Sequence, residues 1–200
     1  MFNKFGRALA ASIILMLAAP ASAQMNFSDS FEFIKAVRER DGAKVTELVS
    51  QPGSTVINTR ERGNGEGALH IVVRGRDLNW LAFLLGKGAR PDIQNNRGDT
   101  PLTLAAQIGW VEGVEQLLAR RAGVNLPNGR GETALILATQ RRDVALVRLL
   151  LAKGADPKRT DNVAGMSALD YAQQDPRAAA VLKLLEAKAA PARPVAGPTK

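Results

Sequence analysis

Residues 98–118 read GDTPLTLAAQIGWVEGVEQLL and predict two short helices separated by a sharp break. Gly98 permits a tight turn, and the Thr100 hydroxyl can accept a hydrogen bond from a free backbone N–H group. Pro101 suits the first position of a helix, where its missing N–H has no partner to lose. Gly109 then interrupts the chain, so a second helix has to begin after it.

The second helix is expected from about Val111 to Arg120, where apolar residues recur on one helical face. The two-helix unit then recurs with a period of 33 residues, and the last unit comes one residue late. Three kinds of residue mark the period. They are a leucine at Leu69, Leu102, Leu135 and Leu169, a glycine at Gly65, Gly98, Gly131 and Gly165, and the pairs Leu84-Leu85, Leu117-Leu118, Leu150-Leu151 and Leu184-Leu185.

This recurrence predicts an all-α solenoid of helix–turn–helix units. Only 4% of the residues are aromatic, which favours helix packing through Ala, Leu and Val over a sheet core. We expect five repeats, at residues 28–60, 61–94, 95–127, 128–160 and 161–187. The first and last are irregular caps, since a terminal unit has one face in water. Residues 188–200, rich in Ala, Pro and Lys, predict a disordered tail.

In the first cap, an apolar helix is expected around Phe31, Phe33, Ile34 and Val37. A second, shorter helix is expected to follow around Val45 and Leu48. This cap has no Thr-Pro-Leu turn, so its identification rests on the apolar spacing alone.

The chain resembles the ankyrin-repeat family. The family's sequence Gly-x-Thr-Pro-Leu-His-x-Ala-Ala, then Val-x-x-Leu-Leu-x-x-Gly-Ala, is matched almost in full over residues 98–118. The resemblance covers residues 28–187 and implies an ankyrin-repeat solenoid whose helix–turn–helix units are linked by β-turn loops. It also implies that the stack binds a protein, without identifying that protein. Two departures are Gly67 at the position of the capping Thr and Arg121 where Gly usually ends the second helix. A left-handed backbone at Arg121 would cost about 1 kcal/mol.

The first residues have the features of a secretory signal peptide. Lys4 and Arg7 precede an apolar run over residues 8–19, followed by the small-residue sequence Ala21-Ser22-Ala23. The run is shorter than the ~20 residues that span a bilayer. We therefore expect removal of residues 1–23 by the general secretory route and a periplasmic protein, with secretion from the cell as the second possibility. An uncleaved membrane anchor is the alternative interpretation.

Composition restricts the possible chemistry. The net charge of the chain is +8, and without residues 1–23 it retains 25 basic and 19 acidic residues, a net charge of +6. These charges alternate in sign along the chain, which favours acidic protein partners or anionic surfaces over nucleic acid. The chain has no cysteine, which excludes disulfides, thiol nucleophiles and thiolate metal ligands.

No constellation of residues points to catalysis. His70 is the only histidine, and the family resemblance implies that its ring bonds to the backbone of an adjoining turn. A Ser-His-acid triad or a zinc site would need partners for it that the sequence does not supply. Acid pairs such as Glu112 and Glu115 have no apolar pocket that would raise one pKa. We therefore predict a protein that is not an enzyme and has no metal or other cofactor; an enzyme is the alternative.

The resemblance implies a binding surface formed by the loop tips and the exposed face of each first helix. The candidate partner-binding residues are Arg74, Arg97, Asp99, Gln107, Ile108, Trp110, Arg130, Glu132, Gln140 and Arg141. Trp and Arg are enriched among interface hot spots, so Trp110 is placed at the centre of this surface. The alternative is that its ring packs over the adjoining helix turn.

These observations predict a monomeric adaptor or inhibitor of the bacterial cell envelope. It would hold a protein partner in its concave groove, with an acidic partner favoured by the charge, and would not bind nucleic acid. The alternative function is association with anionic envelope or membrane surfaces through basic residues.

Overall fold

The computed structural model describes residues 21–189, and side chains from Asp29 onward. Within that range the chain forms ten α-helices and no β-strand, which confirms the predicted all-α repeat fold. The helices are α1 (Ala21–Glu39), α2 (Gly42–Val49), α3 (Ala68–Arg74), α4 (Leu78–Gly86), α5 (Pro101–Gln107), α6 (Val111–Ala119), α7 (Ala134–Gln140), α8 (Val144–Ala152), α9 (Ala168–Gln174) and α10 (Ala179–Ala189). Two 3₁₀ turns lie at Val56–Asn58 and Pro176–Ala178.

The two outermost helices run to the limits of the described residues. Helix α1 is described from Ala21 and so includes Ala21-Ser22-Ala23 of the predicted signal peptide. Helix α10 is described as far as Ala189. The rest of the predicted signal peptide and of the predicted tail lies outside the described residues, at 1–20 and 190–200.

The ten helices pair as five hairpins that stack side by side. The first helices of successive repeats pack on one another, as α5 does on α3 and α7, and the second helices do the same from α4 to α10. The recurring leucines Leu69, Leu102 and Leu135 are at most 1% exposed and lie between these layers. Burial of each such side chain contributes about 1.5–3 kcal/mol to stability. Because these leucines recur every 33 residues, each repeat buries the same side chain against its neighbours.

No helix in residues 21–189 is long and apolar enough to cross a lipid bilayer.

Capping residues explain where the first helices begin. The Thr100 hydroxyl accepts a hydrogen bond from Thr103 N at 3.1 Å, and Thr133 caps α7 in the same way. Gly67 has no side chain to cap α3, as predicted. Its own N–H donates instead to His70 Nδ1 at 3.2 Å, so the missing hydroxyl is partly offset by a ring nitrogen.

Left-handed residues make the turn between the two helices of a repeat. Gly109 has a φ of 66°, and Arg40, Arg76 and Arg142 adopt the same region at 58°, 49° and 57°. Arg121, which follows α6, has a φ of 64°, so the backbone is left-handed at the position where the family usually has Gly. Each such arginine costs about 1–2 kcal/mol relative to an unstrained residue.

Three of these strained arginines also bridge neighbouring repeats, and Arg76 does so by donating from Nη2 to the backbone oxygen of Ile108. Arg40 Nε donates to Asp77 Oδ2 at 2.8 Å, and Arg142 Nη1 donates to Asp175 Oδ2 at 2.8 Å. Asp77 in turn caps α4 by accepting from Trp80 N at 3.1 Å. The charged contacts therefore offset part of the backbone strain and tie each turn to the start of the next second helix.

The apolar helix predicted in the first cap corresponds to α1, and three of its four apolar residues are buried. Phe33, Ile34 and Val37 are buried, but Phe31 is 64% exposed. Residues two apart on a helix do not share a face, so Phe31 and Phe33 cannot both point into the core. Phe31 thus stands on the surface at the N-terminal end of the repeat stack.

Candidate functional site

The loops between repeats form four tight hairpins, which we call fingers: residues 61–66, 95–99, 128–132 and 161–166. Each is closed by a backbone hydrogen bond between its two ends, for example Asn95 N to Asp99 O at 3.0 Å. The Asn95 side chain rigidifies its finger further, because Oδ1 accepts from both Arg97 N and Asp99 N at 2.9 Å. Asn128 makes the equivalent pair of bonds in the next finger.

Backbone hydrogen bonds also join each finger to the next. Asn96 N donates to Asn64 O at 2.9 Å, Gly129 N to Arg97 O at 3.0 Å, and Asn162 N to Arg130 O at 2.8 Å. The fingers therefore form one continuous row along the edge of the stack.

In three fingers an acidic side chain is buried beside an exposed arginine. Glu66, Asp99 and Glu132 are only 5–7% exposed. The ion pairs are Arg74–Glu66 at 2.6 Å, Arg97–Asp99 at 2.9 Å and Arg130–Glu132 at 3.6 Å. Asn95 and Asn128 donate a further bond to the carboxylates of Asp99 and Glu132. The acids are thus occupied within the fingers, whereas the side chains of Arg97 and Arg130 are 64% and 66% exposed.

His70 connects the start of α3 to the finger at residues 95–99 through its two ring nitrogens. Its Nδ1 accepts from Gly67 N, so the proton of the neutral ring is on Nε2, which donates to Asp99 O at 2.8 Å. The predicted structural role of His70 is therefore confirmed. Burial lowers the pKa of His70, and the bond to Asp99 O opposes that effect only in part.

Protonation of His70 is expected to weaken the fold. Because the folded-state pKa lies below the unfolded value of about 6.5, the contribution of His70 is complete above that pH and decreases as the pH falls below it. The variant His70→Gln removes this titration and the bond to Gly67 N. We expect it to be about 1–3 kcal/mol less stable at neutral pH, with a flatter dependence of stability on pH between 7 and 5. Urea unfolding at several pH values measures both effects, and parallel pH curves for the two proteins would contradict the prediction.

A groove runs along the finger row and brings the predicted residues together. A central cleft of 800 Å³ is lined by Arg74, Arg97, Asp99, Gln107, Ile108, Arg130 and Glu132, together with finger residues such as Asn96 and Asn128. A smaller cleft of 290 Å³ shares Gln107, Arg130 and Glu132 with it and adds Gln140 and Arg141. Nine of the ten candidate residues thus line one connected surface.

Trp110 is the exception, and its assignment to the binding surface is wrong. It is 5% exposed, and its ring covers the first turn of α6. Even a methyl group added at Gly113 would overlap that ring. The alternative interpretation, packing over the adjoining helix turn, is therefore the correct one for Trp110.

Sequence reasoning missed the asparagines that shape the groove. Asn95 and Asn128 are 33 residues apart, a spacing that would have identified them, and Asp161 follows at the same interval. Asp161 takes over the same role, accepting from three backbone N–H groups and from the Tyr171 hydroxyl at 2.6 Å. Burial acts to raise the pKa of Asp161, but these hydrogen bonds outweigh it and lower the pKa overall.

No group of three or more His, Asp or Glu side chains in residues 29–189 could hold a metal ion.

Comparison with known proteins agrees with this architecture. The family model for ankyrin repeats (3 copies) matches residues 33–128 and 105–193, most of the chain, and the protein belongs to the ankyrin-repeat family. A relative is the nuclear factor NF-kappa-B p110 subunit of Drosophila melanogaster, 33% identical over 63 residues. The match covers 32% of this chain and only 6% of the relative's length. Ankyrin repeats generally mediate protein–protein interactions and typically form non-catalytic modules.

Proposed function

We propose that the protein is a non-catalytic adaptor or inhibitor of the cell envelope that holds an acidic protein partner in its groove. One observation carries this proposal. Along the groove the carboxylates are buried and paired within the fingers, whereas the arginines beside them face outward. The surface offered to a partner is therefore cationic and rich in donors, and carboxylates are the matching acceptors on a protein.

The rigidity of the groove supports the same function. Each finger is fixed by its own hairpin bond, by an asparagine or aspartate turn, and by a bond to its neighbour. A preorganised surface loses little conformational entropy on binding, so more of the contact energy is left for affinity. The envelope location rests on the signal-peptide features of residues 1–23.

The double variant Arg97→Gln/Arg130→Gln tests this function. We expect its affinity for a partner captured from the cell's envelope fraction to fall about tenfold, a loss of about 1.4 kcal/mol in binding free energy. The matched control is Arg120→Gln/Arg148→Gln, which removes the same charge from exposed positions directly after α6 and within α8. Affinities measured by biolayer interferometry at low and high salt give the comparison, because screening weakens an electrostatic contact. Equal losses in both double variants, or none in either, would contradict the proposal.

The second candidate is association with an anionic lipid surface, favoured by the same exposed arginines. A groove presents its charges on an inner surface, which an extended protein segment can enter more readily than a flat bilayer. Co-sedimentation with phosphatidylglycerol vesicles that depended on Arg97 and Arg130 would favour the membrane over the protein partner.

A further inference from the structure

An apolar pocket, the end pocket, lies at the N-terminal end of the groove. It has a volume of 350 Å³, and Phe31 and Ile34 of α1 contribute its apolar wall. Lys35, Arg38 and Arg60 are among the charged residues that line it. At 64% exposure, Phe31 is the most exposed large apolar side chain in the part of the chain with described side chains. A bulky apolar group placed against it would remove this surface from water.

The pocket is continuous with the groove. Arg38 lines both this pocket and the next cleft, of 500 Å³, which also contains Arg74 and Arg97. Arg74 and Arg97 in turn line the central cleft. A single extended segment could therefore occupy the end pocket and continue along the finger row.

Charge around the pocket selects the occupant. Its rim carries Lys35, Arg38, Arg60 and Arg62 against a single acid, Glu61. Glu61 is engaged by Arg38, whose Nη2 lies 2.9 Å from both carboxylate oxygens. The rim thus presents a net positive charge around an apolar wall.

The two ends of the chain itself do not match this charge. Residues 1–20 contain Lys4 and Arg7 and no acidic residue, and residues 190–200 contain Arg193 and Lys200 and no acidic residue. In a symmetric pair of copies joined through this pocket, the two cationic rims would face each other and repel. Charge complementarity therefore favours an acidic segment of another protein.

We infer that the end pocket receives one bulky apolar side chain from an extended acidic segment of the partner, whose carboxylates then meet the arginines of the groove. This inference rests on the proposed function and adds the anchor of the bound segment. The volume of the end pocket falls within the range of about 300–1,000 Å³ typical of ligand pockets, and it suits a single large side chain. Burying Phe31 against that side chain supplies the apolar part of the affinity.

Synthetic peptides test the anchor without knowledge of the natural partner. The probe is a fluorescein-labelled peptide with one phenylalanine followed by four glutamates separated by Gly and Ser. Two further peptides replace its phenylalanine with alanine or its glutamates with glutamine. We expect the full-length protein to bind the first peptide at least tenfold more tightly than either of the other two, measured by fluorescence anisotropy at low salt.

Variants of the protein then assign the anchor to the pocket. Phe31→Ala should lower the affinity for the phenylalanine peptide about tenfold and leave the affinity for the alanine peptide unchanged. This coupling is expected of two groups in contact. Phe31→Leu should recover most of the affinity. The matched control is Val163→Ala, which removes an equally exposed apolar side chain, 63% exposed, in the last finger. Circular dichroism checks that each variant is folded.

Four results would overturn the inference. They are equal weakening of both peptides by Phe31→Ala, equal effects of Phe31→Ala and Val163→Ala, preference for the glutamine peptide, and self-association of the protein that Phe31→Ala abolishes. Failure of this inference can be distinguished from failure of the proposed function. If a captured partner depends on Arg97 and Arg130 but not on Phe31, the groove function stands and only the anchor is wrong.

Discussion

Gly98→Ala is expected to lower the free energy of unfolding by about 3–4 kcal/mol. Gly98 has a φ of +74°, where a side chain is strained. In addition, the new methyl group would lie 2.8 Å from Gly129 Cα and still closer to Gly129 N. Gly129 N donates the hydrogen bond to Arg97 O that joins two fingers, so the backbone cannot retreat without breaking this contact.

Gly154→Ala is the matched control for this effect. Gly154 has a φ of +89°, but a methyl group there would meet no atom within 4 Å. It should therefore show the backbone strain alone, about 1–2 kcal/mol. Guanidinium unfolding followed by circular dichroism measures both variants. Equal losses at Gly98 and Gly154 would mean that the fingers do not approach each other closely.

Trp110→Ala is expected to lower the free energy of unfolding by about 3–5 kcal/mol, because it removes a nearly fully buried aromatic ring. Partner affinity per folded molecule should stay unchanged, since Trp110 does not line the groove clefts. The control is Trp80→Ala, which removes a partly buried indole that packs edge-on against Phe83 with 5.2 Å between ring centroids. Its effect on stability should be smaller.

A double-mutant cycle with Gly113 sharpens the Trp110 prediction. In the natural protein Gly113→Ala should be destabilising, because the methyl group overlaps the Trp110 ring. In the Trp110→Ala background the same substitution should stabilise α6 by up to about 1 kcal/mol, the difference in helix propensity between Ala and Gly. A change that keeps the same sign in both backgrounds would show that the ring does not lie over Gly113.

The repeats could be predicted from the sequence because their determinants are local or periodic. Thr100 and Pro101 begin α5 through interactions within one helical turn, and Leu102 recurs at a spacing that only a stack of similar units explains. The left-handed backbone at Arg121 was also predictable, since it follows from the end of a helix and not from distant contacts.

Trp110 was misplaced because hot-spot frequencies describe interfaces in general and carry no information about burial at one position. Gly113, three residues later, provides the space for the ring, and this aromatic–glycine pair on one helix turn was a visible signal of packing. The exposure of Phe31 was not predicted from the sequence. The N-terminal cap lacks the repeated motif, so only an apolar count was available there, and the helix phase excludes Phe31 from the core.

The charges of the groove were predictable only in part. The neighbouring signs of Arg97 and Asp99, or of Arg130 and Glu132, are evident in the sequence. Which member of each pair is buried depends on Asn95 and Asn128, whose side chains turn the acids inward. That choice produces a cationic surface from a nearly balanced set of residues.

The bonds between successive fingers also bear on how such a protein can change over time. Gly129 N meets Arg97 O just as Asn162 N meets Arg130 O, so the two sides of an internal repeat are complementary to each other. A duplicated copy of residues 95–127 could be inserted beside the original and find the same neighbours on both sides. The footprint on a partner can therefore lengthen or shorten by whole units while every remaining unit keeps its surroundings.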